Sequence, residues 1–427
     1  MEQILFKGFN VLKNQLIAIL LLYLFIQAVK QALNALNLQH LARHGAEVPA
    51  GFAEHIDTAV LTRMRDYTVA HGRVGLISSL LEVGVTVLFL FGGLLNWYNN
   101  FILQLDWSPL LSGIAFFLLL SYADTMMNMP FSLYNTFSIE KRFGFTTQTL
   151  SLWAGDLLKS LVLNTVLFGC LLAALLWLIQ AMPVYWWLSG WLFLLGFSVF
   201  LLYVSPYVIE PLFNKFTPIE DEFLEQQIKE TMARVGLSIS RVFTMDASKR
   251  SKHSNAYFTG IGHVKRIVLF DTLLKNHQAD EILAILAHEA GHWKKKHLLK
   301  MLVLSQVFSL AGFYLAHQLT SADQVALLFQ LDNPTIQAKL LLAAFLVSLL
   351  IFPIKPFFAL LSRRHEREAD RFAVQLTRST GPMAESLIRL SRDNLANLHP
   401  HPWYAALNYS HPPIVNRVAE IRALKPT

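Results

Sequence analysis

Two histidines and a glutamate stand in the order His288-Glu289-Ala290-Gly291-His292. On a helix the two imidazoles lie four residues apart on one face. Both can then reach a single Zn²⁺ while Glu289 points at the metal's open position. The local sequence favours that helix. Asp280 and Glu281 load its first turn with negative charge, and Ile282, Leu283, Ile285 and Leu286 supply a continuous apolar surface ahead of the motif. Gly291 is a mild cost to the helix, tolerable where packing is tight. The chemistry suggested is metal-assisted hydrolysis. A five-residue pattern with three fixed positions also arises by chance in about 1% of chains this long, so the surrounding elements have to decide.

Hydrophobic residues make up 54% of the 427 and charged residues 15%, with a mean hydropathy of +0.41. A chain this apolar is expected in a membrane. Seven apolar stretches, at 16–29, 74–95, 109–123, 161–179, 184–204, 301–316 and 340–361, predict seven crossings. Four of them approach or exceed the roughly 20 residues that span a bilayer, and the other three need flanking turns. The first lies between Lys13 and Lys30 with no small-residue cleavage site after it, and is expected to be retained.

The connections at 96–108, 180–183 and 317–338 hold no Lys or Arg, whereas the others and the tail hold nearly all of them. By the positive-inside rule the segment 205–300, which carries the motif, and the tail after Leu361 are expected on the cytoplasmic side. The carboxyl terminus is neither a prenylation box nor an endoplasmic-reticulum retrieval signal, so a bacterial inner membrane is the expected location. The net charge of +7 then faces anionic lipid, and with no nucleic-acid motif no nucleic-acid partner is expected. Cys170 is the only cysteine, which excludes disulfide scaffolds and Cys-rich zinc sites.

The soluble parts are expected to form one lobe. A helix is predicted over 221–235, a strand over 241–245, and a hairpin of 255–259 with 266–270 around Gly260-Ile261-Gly262, after which the motif helix follows. That order sets an edge strand beside the metal, where an extended peptide could pair through its backbone; an ordinary small α/β core would read the same way.

A catalytic zinc site needs a third protein ligand and one open position. Segments six and seven form an antiparallel pair, so residues just after segment seven return to the motif's side of the membrane. There the chain reads Arg363-Arg364-His365-Glu366-Arg367-Glu368-Ala369-Asp370. Glu366 and Asp370 share a helix face at i and i+4, so one could bind the metal while the other hydrogen-bonds a ligand histidine. His365 competes for the third position, and Glu368 points elsewhere. Glu82, Asp124, Asn164 and Lys355 are costly at membrane depth and therefore functional candidates. Glu82 suits chamber lining or helix pairing. Lys355, between Pro353 and Pro356, suits a kink that opens the seventh helix to water. His297 is expected as a polar cap at the membrane surface, and 294–296 as contacts to lipid headgroups.

Several blocks together resemble the CAAX prenyl protease type 1 family. They are HEAGHWKKKH at 288–297, SRRHEREADRFA at 362–373, SKRSKHSNAYFTG at 248–260 and YSHPPIVNR at 409–417, joined by IEKRFGFTTQTLSLW at 139–153 and EPLFNKFTPIE at 210–220. The resemblance implies a mainly α fold, a polytopic membrane protein whose seven transmembrane helices enclose a large water-filled intramembrane chamber, plus a small α/β zinc-peptidase lobe. In that reading 1–206 holds helices one to five and 207–300 the cytoplasmic lobe with substrate strand and motif helix. Helices six and seven fall in 301–361, and the tail 362–427 completes the zinc site.

By position, the family's ligands to one Zn²⁺ per chain fall on His288, His292 and Glu366, and its general base on Glu289. The acid that orients a ligand falls on Asp370, the substrate-pairing strand on Asn255 and Ala256, and the transition-state residues on His411 and Arg417. The sequence departs from the family in Glu368, where Gln is frequent, and in His365, where an aromatic is common.

The implied activity is zinc-dependent hydrolysis of peptide bonds near the carboxyl terminus of prenylated (CAAX-type) or other membrane-associated peptides. The partners expected are a peptide or protein substrate and the lipid bilayer. One alternative is a membrane quality-control protease of broad specificity, since bacteria do not generally make CAAX-prenylated substrates. Another is a non-catalytic membrane chaperone with structural zinc, which would call for a fourth protein ligand the sequence does not offer. Intramembrane site-2-type proteases carry their motif inside a transmembrane helix with a distant Asp ligand, and the Glu366 and Asp370 pair argues against them.

Overall fold

A computed structural model describes residues 2–259 and 264–425. Six helices among these are long and apolar enough to cross a membrane: Leu12–His44, Thr58–Phe91, Pro109–Glu140, Leu150–Ala181, Trp186–Phe213 and His297–Ser321. The pair Ile336–Ile351 and Lys355–Thr377 makes a seventh if the two are counted as one broken span, bent by 58°. The apolar run 340–361 is therefore not a single straight span. Pro353 and Pro356 withhold two backbone donors at the break, and the pyrrolidine rings exclude a continuous helix there. The first two spans begin or end well outside the apolar stretches that mark them, and a separate short helix, Leu94–Gln104, follows the second.

No more than 17% of any single-helix spanning window is buried within the protein. The total accessible surface is 22720 Å², against about 16,600 Å² for a compact globule of 48.5 kDa. An excess of that size is what loosely packed helices around an open interior present. Polar side chains pair across the spans rather than facing hydrocarbon alone. Tyr122 lies 2.6 Å from Thr165, Asn164 donates to Ser121 at 3.0 Å, and Gln31 donates to Ser79 at 2.6 Å. Such pairs are the economical way to keep polar groups at membrane depth.

The lobe between the fifth and sixth spans carries a four-stranded sheet. Its strands are β1 (Phe216–Pro218), β2 (Ser238–Met245), β3 (Ala256–Thr259) and β4 (Val264–Phe270), in the order β1-β2-β4-β3. β2 and β4 run parallel, while β3 pairs antiparallel with β4, Ala256 opposite Leu269. The hairpin expected from alternating β-formers is present, though its Gly260-Ile261-Gly262 turn lies outside the described residues. β1 was not expected: three residues ending in proline carry too little periodicity to announce a strand. The helix Glu222–Ala233 packs Leu224, Ile228 and Met232 onto the sheet, in one core with Val242, Ile267 and Leu269. Arg250 locks the lobe to the fourth span through a two-pronged pair with Asp156 at 2.8 and 3.0 Å.

Candidate active site

The motif sits in the last turns of the helix Ala279–Lys294. Gln278 and Glu281 form a reciprocal capping box at its start, and the buried Glu281 is further paired with Arg389 at 3.1 Å. One face of this helix, with Ile282, Ile285, Leu286 and Ala290, packs into the core of the sheet. Another, with Ala284 and Ala287, joins a second core that includes Ala373, Val374 and Met383. The helix is thus held between the lobe and the helix Lys355–Thr377.

Small residues set how close those two helices come. A Cβ on Gly291 would stand 3.0 Å from Ala369 Cα and 3.2 Å from its carbonyl oxygen. The helix cost of Gly291 is therefore offset by close backbone approach, which lets short side chains from both helices meet at one point.

At that point His288, His292 and Glu366 converge, the group of described residues that could hold a metal ion. His288 Nε2 lies 3.1 Å from His292 Nε2 and 3.4 Å from Glu366 Oε2, while His292 Nε2 is 3.2 Å from Glu366 Oε1. Tetrahedral ligands held at about 2.05 Å from a zinc ion would stand about 3.3 Å apart. The three atoms fit that spacing. Glu366 Oε2 is buried and lies 2.7 Å from His411 Nδ1, yet makes no hydrogen bond of good geometry, so acceptor capacity remains on it. Two imidazole nitrogens and a carboxylate with spare lone pairs form the donor set of a divalent cation.

Around this group stands a buried charge network. Asp370 Oδ1 is 2.8 Å from His288 Nδ1 and fixes that ring from behind. Arg417, 5% exposed, grips Asp370 through Nε at 2.7 Å and Nη2 at 2.6 Å, and its Nη2 also lies 3.4 Å from Glu366 Oε2. Burial opposes charge on His288, but the neighbouring carboxylates of Asp370 and Glu366 carry its pKa up to about 9. Burial likewise opposes charge on Arg417, and the bond to Asp370 outweighs it, so the guanidinium stays charged. Glu289 is half-buried beside His288, close enough for its charge to act on Arg417.

His365 does not join the cluster. It is buried and stacked on His297 with ring centroids 4.1 Å apart. His297 is not a surface cap either. It is 3% exposed, its Nδ1 lies 3.1 Å from His292 Nδ1, and its Nε2 is 3.2 Å from Glu368. A sequence position at the start of an apolar helix hid this, because Lys296 adopts a left-handed conformation (φ 55°) that turns the chain and folds His297 back toward the motif.

Asn255 and Ala256 stand where β3 begins, Ala256 buried and Asn255 exposed. β3 is the last strand of the sheet and packs against the motif helix, and its outer edge has no strand partner among the described residues. The residues that hold this strand were not evident from sequence. His253 stacks on Phe145 at 4.1 Å, contacts Asn394 Oδ1 at 2.9 Å and lies 3.4 Å from Glu140, which also binds His71 and Tyr67. These partners are far apart in the chain. The sequence shows only that His253 stands two residues before Asn255.

Comparisons with known proteins identify the family. Residues 37–215 match the family described as "CAAX prenyl protease N-terminal, five membrane helices", and residues 218–425 match "Peptidase family M48". CAAX prenyl protease 1 of Saccharomyces cerevisiae is 31% identical, over 88% of each chain. The CAAX prenyl protease 1 homolog of Mus musculus is 30% identical, over 88% of this chain and 89% of its own. The crystal structure of S. mikatae Ste24p superimposes with a TM-score of 0.89 at 30% identity, over 95% of this chain and 98% of that one. The chain therefore belongs to peptidase family M48, among the CAAX prenyl protease 1 homologues, and is a multi-pass membrane metalloprotease.

Proposed function

We propose that the protein is a zinc-dependent endopeptidase. It cuts peptide bonds near the carboxyl terminus of prenylated or other membrane-associated peptides, with its site on the cytoplasmic face of a bacterial inner membrane. The observation that carries this reading is the 3.1 to 3.4 Å spacing of the His288, His292 and Glu366 atoms, which suits one tetrahedral ion with a position left over. A structural site would close that position with a fourth protein ligand.

Bound between these three side chains, zinc would polarise the scissile carbonyl and acidify a water molecule. Glu289 takes the proton from the attacking water and returns it to the leaving amine. His411, with its side chain 59% exposed and anchored near Glu366, donates to the oxygen on which negative charge develops. Arg417 acts through Asp370: it holds the carboxylate that holds His288, so its part is positioning. The substrate lies as an added strand on the outer edge of β3 at Asn255 and Ala256, its backbone paired and its scissile bond drawn toward the metal.

The test is cleavage of a farnesylated CAAX peptide by the purified protein, followed by mass spectrometry beside the same peptide without the farnesyl group. Zinc-dependent release of a short carboxyl-terminal fragment is expected, faster for the farnesylated form. Cleavage confined to unprenylated membrane proteins, with the farnesylated peptide intact, would shift the reading to quality control.

A further inference from the structure

One charged residue of the membrane region has no part in the site described above. Lys355 opens the second half of the broken span, immediately after the bend at 352–354. An ammonium group at this depth is costly unless it meets water or an anion. Its visible partner is neutral, the Oδ1 of Asn408 at 2.9 Å.

Lys355 borders a cavity of about 650 Å³ formed where the first, second and seventh spans meet the tail. Lys30, from the first span, enters the same cavity and lies 6.0 Å from the ring of Phe352 at the bend. The rest of the polar wall is made of amides such as Asn34 and Asn397, of tyrosine hydroxyls, and of His71, whose Nε2 is engaged by Glu140 at 3.0 Å. The Nδ2 of Asn397 is a buried donor with no hydrogen-bond partner among the described residues. Among the described residues lining the cavity there is no aspartate or glutamate. Two ammonium groups from separate helices, a wall of amides and no carboxylate make a receptor for a small anion.

The cavity adjoins the metal cluster. Tyr409 lines it and stands two residues before His411, and Arg363, less than one turn before Glu366, donates to the Tyr409 carbonyl at 2.7 Å. Lys355 and Glu366 lie on one helix, eleven residues and therefore about 16 Å apart. An extended peptide advances about 3.3 Å per residue, and a lysine side chain reaches back several ångströms. A chain cut at the cluster would thus bring a carboxyl terminus to Lys355 after about three to five residues.

We propose that this cavity binds the free carboxylate at the end of the substrate, with Lys30 and Lys355 as its cationic partners, so that the enzyme measures its cut from the chain's last residue. The proposal rests on the endopeptidase reading for its substrate, but the site can be tested by binding alone.

The probe is a fluorescent farnesylated peptide ending in a free carboxylate, compared with the same peptide ending in a carboxamide. Binding is measured on full-length zinc-loaded Glu289→Gln protein in neutral-lipid nanodiscs, and kcat/KM on the wild type. The acid is expected to bind about 10-fold tighter or more. Lys30→Gln and Lys355→Gln should each bring the acid down toward the amide, while Lys355→Arg keeps most of the preference. Equal binding of acid and amide by the unsubstituted protein would overturn the proposal, as would variants that weaken both peptides alike. Loss of the preference when anionic phospholipid is added would also overturn it, assigning the cavity to a lipid phosphate. If the preference holds in binding but no peptide is cut, the carboxylate site stands and the endopeptidase reading falls.

Discussion

Glu289→Gln is expected to lower peptide cleavage by about 100- to 10,000-fold while leaving the bound metal in place. The substitution keeps the size of the side chain and removes only its capacity to take a proton. Glu289 is not one of the three side chains whose atoms converge, so the cluster of His288, His292 and Glu366 should load zinc as before. Being half-buried and on the helix that packs into both cores, the position should tolerate an isosteric change with little loss of stability. Metal content and single-turnover cleavage measured on the same preparation separate the two effects. Activity above a tenth of wild type in fully metallated protein would remove Glu289 from the proton path.

Arg417→Leu is expected to be the most damaging single change to the fold near the site. Arg417 carries the only positive charge in contact with Asp370 among the described residues besides whatever proton His288 holds, and both partners are nearly fully buried. Removing one member of such a pair leaves an uncompensated buried carboxylate and costs about 3 to 5 kcal/mol. The damage should reach the metal, because Asp370 orients His288. A lower thermal midpoint together with weaker zinc retention is the expected result. Pairing the change with Asp370→Asn removes the orphaned charge and should restore part of the stability, since the two residues share one network. Arg417→Lys should fall between, keeping charge but losing the two-pronged geometry. If Arg417→Leu unfolds no earlier than the wild type, the clamp is not what holds this corner together.

Much of the site could be read from short spacings. The i, i+4 relation of His288 and His292, and that of Glu366 and Asp370, are local properties of a helix and survive whatever the tertiary structure does. The meeting of the two pairs followed from counting crossings, since an antiparallel pair of spans returns the chain to the same side. The bend at 352–354 was harder to see, because hydropathy runs unbroken from 340 to 361 and averages over the prolines that split it. Lys355 was the visible sign, a charge that a straight span would have placed in hydrocarbon. His297 misled because its role depends on a left-handed residue at 296, which neither composition nor period reveals. The support of β3 could not be inferred at all. Glu140, His253 and Asn394 come from three distant parts of the chain and meet only once the spans, the lobe and the tail are assembled.

The central claim is one zinc ion, held by His288, His292 and Glu366, driving hydrolysis at the end of a membrane-associated peptide. Its most direct test strips the purified protein with a chelator and titrates zinc back while cleavage of the farnesylated peptide and bound zinc are followed together. Activity should vanish on stripping, return in proportion to zinc and saturate at one ion per chain, with Glu366→Ala showing neither high-affinity binding nor recovery. Cleavage that persists in the stripped protein, or that returns in Glu366→Ala at the wild-type stoichiometry, would contradict it.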